Sequence, residues 1–375
     1  MKLHLTIPQK IAASFMILLV IYWVVLFISG TKSGFHNIFY SFLFGLTPLI
    51  GGLIAALNAN VWGGMKSAMG KAVFFVGFGM FLWGGGEMVW SYYNFFLSEP
   101  APYPSFADIG FAPSIYFYGL GAVFLSQVTG AKFGLRSKLA KFFVIIAPIL
   151  IIPLSWYLLV TLARGGVLIP PGETPLKIVL DIAYPLGSPL ALVVAVIISG
   201  LTFRYMGGRY TLSVLSVLFG LFIMFVGDTI FSYTTTVGTF YNASFGDLML
   251  TIGTFSLTFG ALGFYRLREP ITLLQGQQAE RLYNKIAQNI IREQEQLIGP
   301  VAWYEAEKVS GLGIVRQKNG NAVQIDENVD GMVVLDNLVE KYKGLFGPAA
   351  AEVCRDATRS ITADIDQARI PDSLK

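Results

Sequence analysis

Eight apolar runs dominate the first 265 residues of this 375-residue chain, near 11–29, 38–58, 72–95, 111–130, 142–162, 178–200, 210–233 and 244–265. Each approaches or exceeds the roughly 20 residues that a helix needs to cross a bilayer. Hydrocarbon cannot satisfy free backbone polar groups, so continuous runs of this length must be helical. Composition agrees: 54% of residues are hydrophobic and 13% are charged, about half the charged fraction of a soluble domain. The charges become dense only after Arg266. The expected fold class is an all-α polytopic membrane bundle of about eight transmembrane helices plus a small cytosolic α+β tail. Expected boundaries are 1–268 for the bundle, 269–298 for a connecting amphipathic helix and 299–375 for the tail domain.

Loop charge sets the orientation. With the N-terminus inside, the cytosolic segments hold Lys2, Lys10, Lys66, Lys71, Lys132, Arg136, Lys138, Lys141, Arg204, Arg209, Arg266 and Arg268, against Lys32, Arg164 and Lys177 on the other side. Basic residues are retained in the cytosol during insertion, so both termini are expected there in a multi-pass plasma-membrane protein. The net charge of +4 follows from that topology and asks for no nucleic-acid partner. The first run is too long for a signal-peptide core and no A-x-A site follows it, so it reads as an uncleaved anchor. Cys354 is the only cysteine, and His4 and His36 are the only histidines. A disulfide, a His-based zinc site, a Ser-His-Asp triad and a phosphoacceptor helix are thereby excluded.

Motifs recur. Gly86-Glu87-Met88-Val89-Trp90-Ser91-Tyr92 is echoed by Gly227-Asp228-Thr229-Ile230-Phe231-Ser232-Tyr233, and Ser105-Phe106-Ala107-Asp108 by Ser244-Phe245-Gly246-Asp247. Thr47-Pro48-Leu49 matches Tyr184-Pro185-Leu186 more weakly. The reading is a 4+4 parallel repeat; the competing reading is coincidence, because glycine and aromatics are common in spans. Glycines within the spans serve as close-packing surfaces. Neither a GxGxxG after a strand nor a GxxxxGK[ST] occurs, so nucleotide binding has no support.

The carboxylates gather at one level. At 1.5 Å per residue, Glu87 stands about 24 Å and Asp228 about 28 Å above the inner surface. Asp181 falls one turn inside the outer end of span six, and Asp108 and Asp247 open spans four and eight. Charged groups within a bilayer are costly and usually face a bundle interior, a cavity or a partner. The candidate ligand-binding set is Glu87, Asp181, Asp228, Asp108 and Asp247 with Trp90, Tyr92 and Tyr184. Neither lysine nor arginine lies in the outer halves of spans three, four, seven or eight to neutralise it. Acids beside aromatic faces suit an organic cation, a proton-titrating cluster or a hard metal ion such as calcium. No residue is assigned to catalysis or to a resident metal, and the cofactor is unknown. The structural alternatives are specific: S-x-x-D is a capping-box pattern that accounts for Asp108 and Asp247, and Tyr and Trp at this level form interfacial belts. Glu87, Asp181 and Asp228 escape capping; their alternative is an inter-helix hydrogen bond by a protonated or paired carboxyl. The stiff Pro100–Ser105 connection reads as a lid or a turn, and the Asn242 glycosylation sequon is discounted because it hugs the membrane.

Beyond Arg268 the texture is polar. A helix over about 270–297 carries Ala279, Leu282, Ile286 and Ile290 on one face, as a homodimer seam through 273–297, a membrane-surface helix or a helix packed on its own tail. A helix over 301–309, strands over 313–317 and 322–325 about the Lys318–Asn321 turn, and helices over 330–345 and 348–365 complete the tail. About 75 residues hold only a modest core, with no catalytic constellation.

Gly86-Glu87-x-x-Trp90-x-Tyr92-Tyr93, Pro102-Tyr103-Pro104-Ser105-x-Ala107-Asp108, Asp181-x-x-Tyr184-Pro185 and Gly227-Asp228 resemble the multi-span N-terminal sensor regions of some bacterial diguanylate cyclases and histidine kinases. The resemblance covers roughly 35–265 and implies a plasma-membrane sensor module. Neither a GGDEF-like signature nor a kinase motif follows, so the output would fall to the tail. The expected function is a receptor-like membrane sensor, not an enzyme, whose extracytoplasmic site binds a ligand, ion or proton and acts on an unidentified cytosolic partner through the tail. The alternative is a cation or small-solute transporter or channel using the same acids.

Overall fold

A computed structural model describes residues 5–97, 102–169, 171–267, 282–317, 320–326, 328–362 and 370–374. Among the described residues, eight helices are long and apolar enough to cross a membrane: α1 (Ile7–Ile28), α2 (Phe35–Trp62), α3 (Ala68–Leu97), α4 (Asp108–Val128), α5 (Ala140–Leu162), α6 (Pro175–Thr202), α7 (Thr211–Thr236) and α8 (Phe245–Leu262). All eight expected runs are present, each helix beginning or ending within a few residues of its run.

Local chemistry sets the helix ends. Before α1, Thr6 Oγ1 accepts from the Gln9 N–H at 3.2 Å while Gln9 Oε1 accepts from the Thr6 N–H at 3.0 Å, a reciprocal capping box. Ser67 caps α3 through the Gly70 N–H at 2.9 Å, and Ser244 caps α8 through the Asp247 N–H at 3.4 Å. Pro48 lies within α2, where the helix widens into a π-helical turn over Thr47–Gly51, as expected where a residue lacks its N–H. Its sequence counterpart Pro185 sits in unbroken α-helix, so this weakest motif match has no echo in the backbone.

The two strong matches do have one. A Cβ built on Gly79, eight residues before Glu87, would lie 2.8 Å from the Tyr118 nitrogen and 3.0 Å from the Ser114 carbonyl oxygen. One built on Gly220, eight residues before Asp228, would lie 2.8 Å from the Leu257 nitrogen and 3.1 Å from the Gly253 carbonyl oxygen. Ser114 and Tyr118 stand six and ten residues after Asp108; Gly253 and Leu257 stand six and ten after Asp247. Gly121 against Val76 and Ala72 is matched in the same way by Gly260 against Val217 and Ser213. Hairpins α3–α4 and α7–α8 therefore pack in one register, with small residues letting backbones touch. They meet where Trp90 and Phe231, each three residues after its carboxylate, cross edge to face at 6.0 Å. At the periphery, α1 exposes Ile17, Leu18 and Phe27, and α5 exposes Ile145, Ile149 and Leu150.

The tail docks on the end of the bundle opposite the acids. It comprises α9 (Leu282–Ile298), α10 (Val301–Glu307), antiparallel strands β1 (Leu312–Gln317) and β2 (Gly320–Ile325), α11 (Gly331–Phe346) and α12 (Pro348–Thr362). Gln317 pairs with Gly320, so β2 begins two residues earlier than expected; Lys318 and Asn319 lie outside the described residues. Trp62, Tyr210, Phe264 and Phe346 form a fully or nearly fully buried aromatic layer, with Tyr210–Phe346 centroids 5.2 Å apart and Trp62–Tyr210 5.5 Å apart. Backbone bonds join Arg209 N–H to Gly344 O at 2.9 Å and Tyr210 N–H to Leu345 O at 3.3 Å. Arg266 Nη2 reaches Glu305 Oε1 at 2.7 Å with both side chains over nine-tenths buried. Lys132 and Arg136 face Asp356 and Glu352 at 3.5–3.8 Å. A continuous buried core runs from the bundle into the tail.

The amphipathic face of α9 is accounted for within this chain. Ile286, Ala287, Ile290 and Ile291 are fully buried, and Gln294 Nε2 donates to Ala350 O at 3.0 Å. Of the three expected uses of this helix, packing on its own tail is the arrangement found. The boundary at 268, Ala279 and the first part of the 273–297 seam lie outside the described residues.

Candidate functional site

The carboxylates come together as two sets rather than one. The first joins α4, α6 and α7. Asp108 Oδ2 accepts from the Ser105 N–H at 2.7 Å, which is the capping role, while its Oδ1 accepts from Tyr184 OH at 2.6 Å. One carboxylate thus closes the turn before α4 and ties that helix to α6. Asp228 on α7 accepts a hydrogen bond from Ser188 on α6. Asp181 is over nine-tenths buried and is paired: Arg164 Nη1 lies 3.0 Å from Oδ1, and Tyr103 OH donates to the same oxygen at 3.1 Å. The expectation of unneutralised acids fails here, because the cation arrives from the α5–α6 connection rather than from a span. Burial, then the Asp181 charge, pushes the Tyr103 hydroxyl above its usual range, so it remains a donor. The connection before α4 is therefore anchored to α6 through Tyr103.

The second set joins α2, α3 and α8. Asp247 Oδ2 accepts from the Ala243 N–H at 2.6 Å, holding Ala243 at φ 64°, a left-handed conformation uncommon for a residue with a Cβ. Glu87 is 5% exposed and lies against Gly45 of α2, where an added Cβ would meet its Cγ at 2.6 Å. Asp247 is likewise buried, 4% exposed. Tyr40 OH and Thr251 Oγ1, 2.9 Å apart, tie α2 to α8. Above it, Asn242 Oδ1 accepts from Trp90 Nε1 at 3.3 Å, Asn242 Nδ2 donates to Asn94 Oδ1 at 3.2 Å, and Asn37 Nδ2 donates to Asn242 O at 2.9 Å. The Asn242 amide is consumed by this network, consistent with discounting its sequon.

Tyr92 is a correction. It is 54% exposed and packs on Phe96 with centroids 5.3 Å apart, turned away from both sets. Five residues at 100° per residue place it about 140° around α3 from Glu87. Sequence reasoning missed Arg164, Ser188, Asn37 and the Tyr40–Thr251 tie. Arg164 alone carried a signal, as the one arginine expected on the acidic side. Among the described residues, no group of three or more His, Cys, Asp or Glu side chains gathers as a metal-binding set. No protein-family model, curated protein or solved structure matches this chain, so the likeness to bacterial sensor regions stands on its motif residues alone.

Proposed function

We propose that this chain is a multi-pass membrane signalling protein whose extracytoplasmic acidic site biases the packing of two helical hairpins against a cytosolic tail. The observation that carries the reading is the docked tail. Both hairpins end on it, α3–α4 through the Lys132–Arg136 segment, with Trp62 at the end of α2 beside it, and α7–α8 through the flanking Tyr210, Phe264 and Arg266. A shift between hairpins at the acid end must therefore either strain or release that joint, because packed interfaces are bistable rather than continuously deformable. The joint also weighs against transport, since a continuous polar path would have to cross the buried Trp62–Tyr210–Phe264–Phe346 layer. The exposed aliphatic faces of α1 and α5 suit hydrocarbon, and the basic-residue bias supports a reading in which both termini are cytosolic, in a plasma membrane.

The native thiol provides the test. Cys354 is fully buried in the tail beside Gln294, and its labelling rate in lipid nanodiscs reports tail opening. Addition of cations, amines or acid should change that rate in the wild type, and Glu87→Gln should abolish the response. A rate indifferent to every addition, together with cation accumulation by sealed proteoliposomes, would replace this reading by transport.

A further inference from the structure

We infer that Lys132, Arg136, Lys138, Lys141 and Arg204, at the end of the bundle that carries the tail, bind anionic lipid headgroups, and that those headgroups compete with Glu352 and Asp356 of α12 for Lys132 and Arg136. The inference goes beyond the proposed function: it needs a bilayer around the eight helices and nothing of the acid end.

These cations lie on two connections that the fold ties together. The α4–α5 connection is held on both sides. Gly130 takes φ 81°, and a Cβ added there would lie 2.8 Å from the Ala349 Cβ of α12; one added on Gly134 would overlap the Leu201 carbonyl of α6. Between them Phe133 is 1% exposed, and Tyr205 OH donates to its carbonyl oxygen at 3.3 Å. That bond joins the α6–α7 connection, with Arg204 next to Tyr205, to the α4–α5 connection. Lys132 Nζ and the Arg136 guanidinium stand 4.7 and 5.2 Å from the Phe133 ring centroid, so the ring places both.

Exposed apolar side chains alternate with the cations. Leu135 precedes Arg136, Phe142 follows Lys141 and Phe203 precedes Arg204, all three exposed, and the exposed face of α5 continues through Ile145 and Ile149. Apolar bodies beside basic heads suit the headgroup level of a bilayer, and four or more Lys or Arg next to a span attract anionic lipid. Retention of basic residues during insertion accounts for their number. It does not account for the use of two of them by the tail.

That use is loose and exchangeable. Lys132 lies 3.5 Å from Asp356, and Arg136 lies 3.6 Å from Glu352 and 3.8 Å from Asp356, with the two basic side chains 58% and 55% exposed. Ion pairs this long and this wet hold little. Within α12, Arg355 also pairs with Glu352, and Arg359 lies 3.5 Å from Asp356, so neither acid loses every cation when the bundle residues turn away. On the other side, a headgroup phosphate would receive Lys132 and Arg136 beside Lys138, Lys141 and Arg204, which are exposed and make no ion pair with any described residue. Charge is thus exchanged without stranding an ion. The buried Arg266–Glu305 pair has no such freedom, so the tail is held by one fixed clamp and one lipid-sensitive clamp.

Zero-length carbodiimide coupling of the full chain in lipid nanodiscs reads the competition directly, because it joins only an amine and a carboxylate in contact. The yield of the Lys132–Asp356 cross-link, normalised to Lys343–Glu340 coupling within α11, is compared between discs of neutral phosphatidylcholine and discs containing phosphatidylglycerol, at equal ionic strength. The expected result is a fall of about fivefold in the anionic discs, equivalent to about 1 kcal/mol, the contribution of one basic residue at an anionic surface. Lys138→Gln with Lys141→Gln removes two cations without touching a tail contact; it should keep the neutral-disc yield and lose at least half of the fall. Equal yields in the two discs, the full fall in the double variant, or an equal fall when inorganic phosphate is added to neutral discs at the same ionic strength would overturn the inference. None of these outcomes bears on the acid end, whose coupling to the tail is read separately through Glu87→Gln.

Discussion

Removing the Glu305 carboxylate should loosen the tail from the bundle. Glu305 meets Arg266 at 2.7 Å, with side chains 8% and 9% exposed, and the guanidinium lies 5.8 Å from the Trp62 ring centroid. Breaking one side of a buried pair costs about 3–5 kcal/mol, and because Arg266 has contacts beyond Glu305 the lower end, about 3 kcal/mol, applies. At about 1.4 kcal/mol per decade, the opened population should rise roughly 10²-fold. Lys308 at 3.5 Å is 41% exposed and offsets little of this. Burial pushes the Cys354 thiol up to about 12, so it reacts only when the tail opens. Its labelling rate in Glu305→Ala should therefore rise by that same factor, whereas Arg266→Met with Glu305→Leu should recover most of the protection. Burial alone would raise the Glu305 carboxyl, but Arg266 and then Lys308 outweigh it and hold it below its usual range. Its contribution is thus complete above the unfolded value of about 4.3 and is lost as pH falls through the lower folded value. Melting temperature should drop in that acid window for the wild type and drop less for Glu305→Gln. A Glu305→Ala protein with wild-type labelling and melting would refute the reasoning.

Two further perturbations separate packing from charge. Gly79→Ala and Gly220→Ala each drive a Cβ into backbone atoms of the facing helix at 2.8 Å, so each should cost about 1–3 kcal/mol in detergent melts; Gly85→Ala, with nothing within 4 Å of its added Cβ, should be neutral. Arg164→Met leaves Asp181 buried without its cation and should cost about 3–5 kcal/mol, most of it regained in Arg164→Met with Asp181→Leu. Equal melting temperatures across the Arg164 series would show that the pair is not structural.

The bundle was legible because its signal is long and one-dimensional: runs of apolar residues declare eight helices whatever their neighbours. The tail elements were legible for a similar reason, through the Lys318–Asn321 turn signal and the Gly347-Pro348 break between its last two helices. Motif pairs disclosed that acids cluster at one end, but partners that arrive from other helices were invisible. Arg164 neutralises Asp181 across a connection, and Ser188 reaches Asp228 from a different helix, contacts that depend on packing rather than spacing. Tyr92 could have been set aside from helical geometry alone. The fate of the α9 face was undecidable from its periodicity, because a dimer seam and an internal core demand the same residues.

Hydrogen exchange of residues 331–362 in lipid nanodiscs, compared between the wild type and Glu87→Gln, tests most directly whether the acid end and the tail are coupled. Coupling predicts that this substitution at the far end of the bundle changes protection across α11 and α12. Identical exchange in the two proteins, both folded at the temperature of measurement, would contradict it.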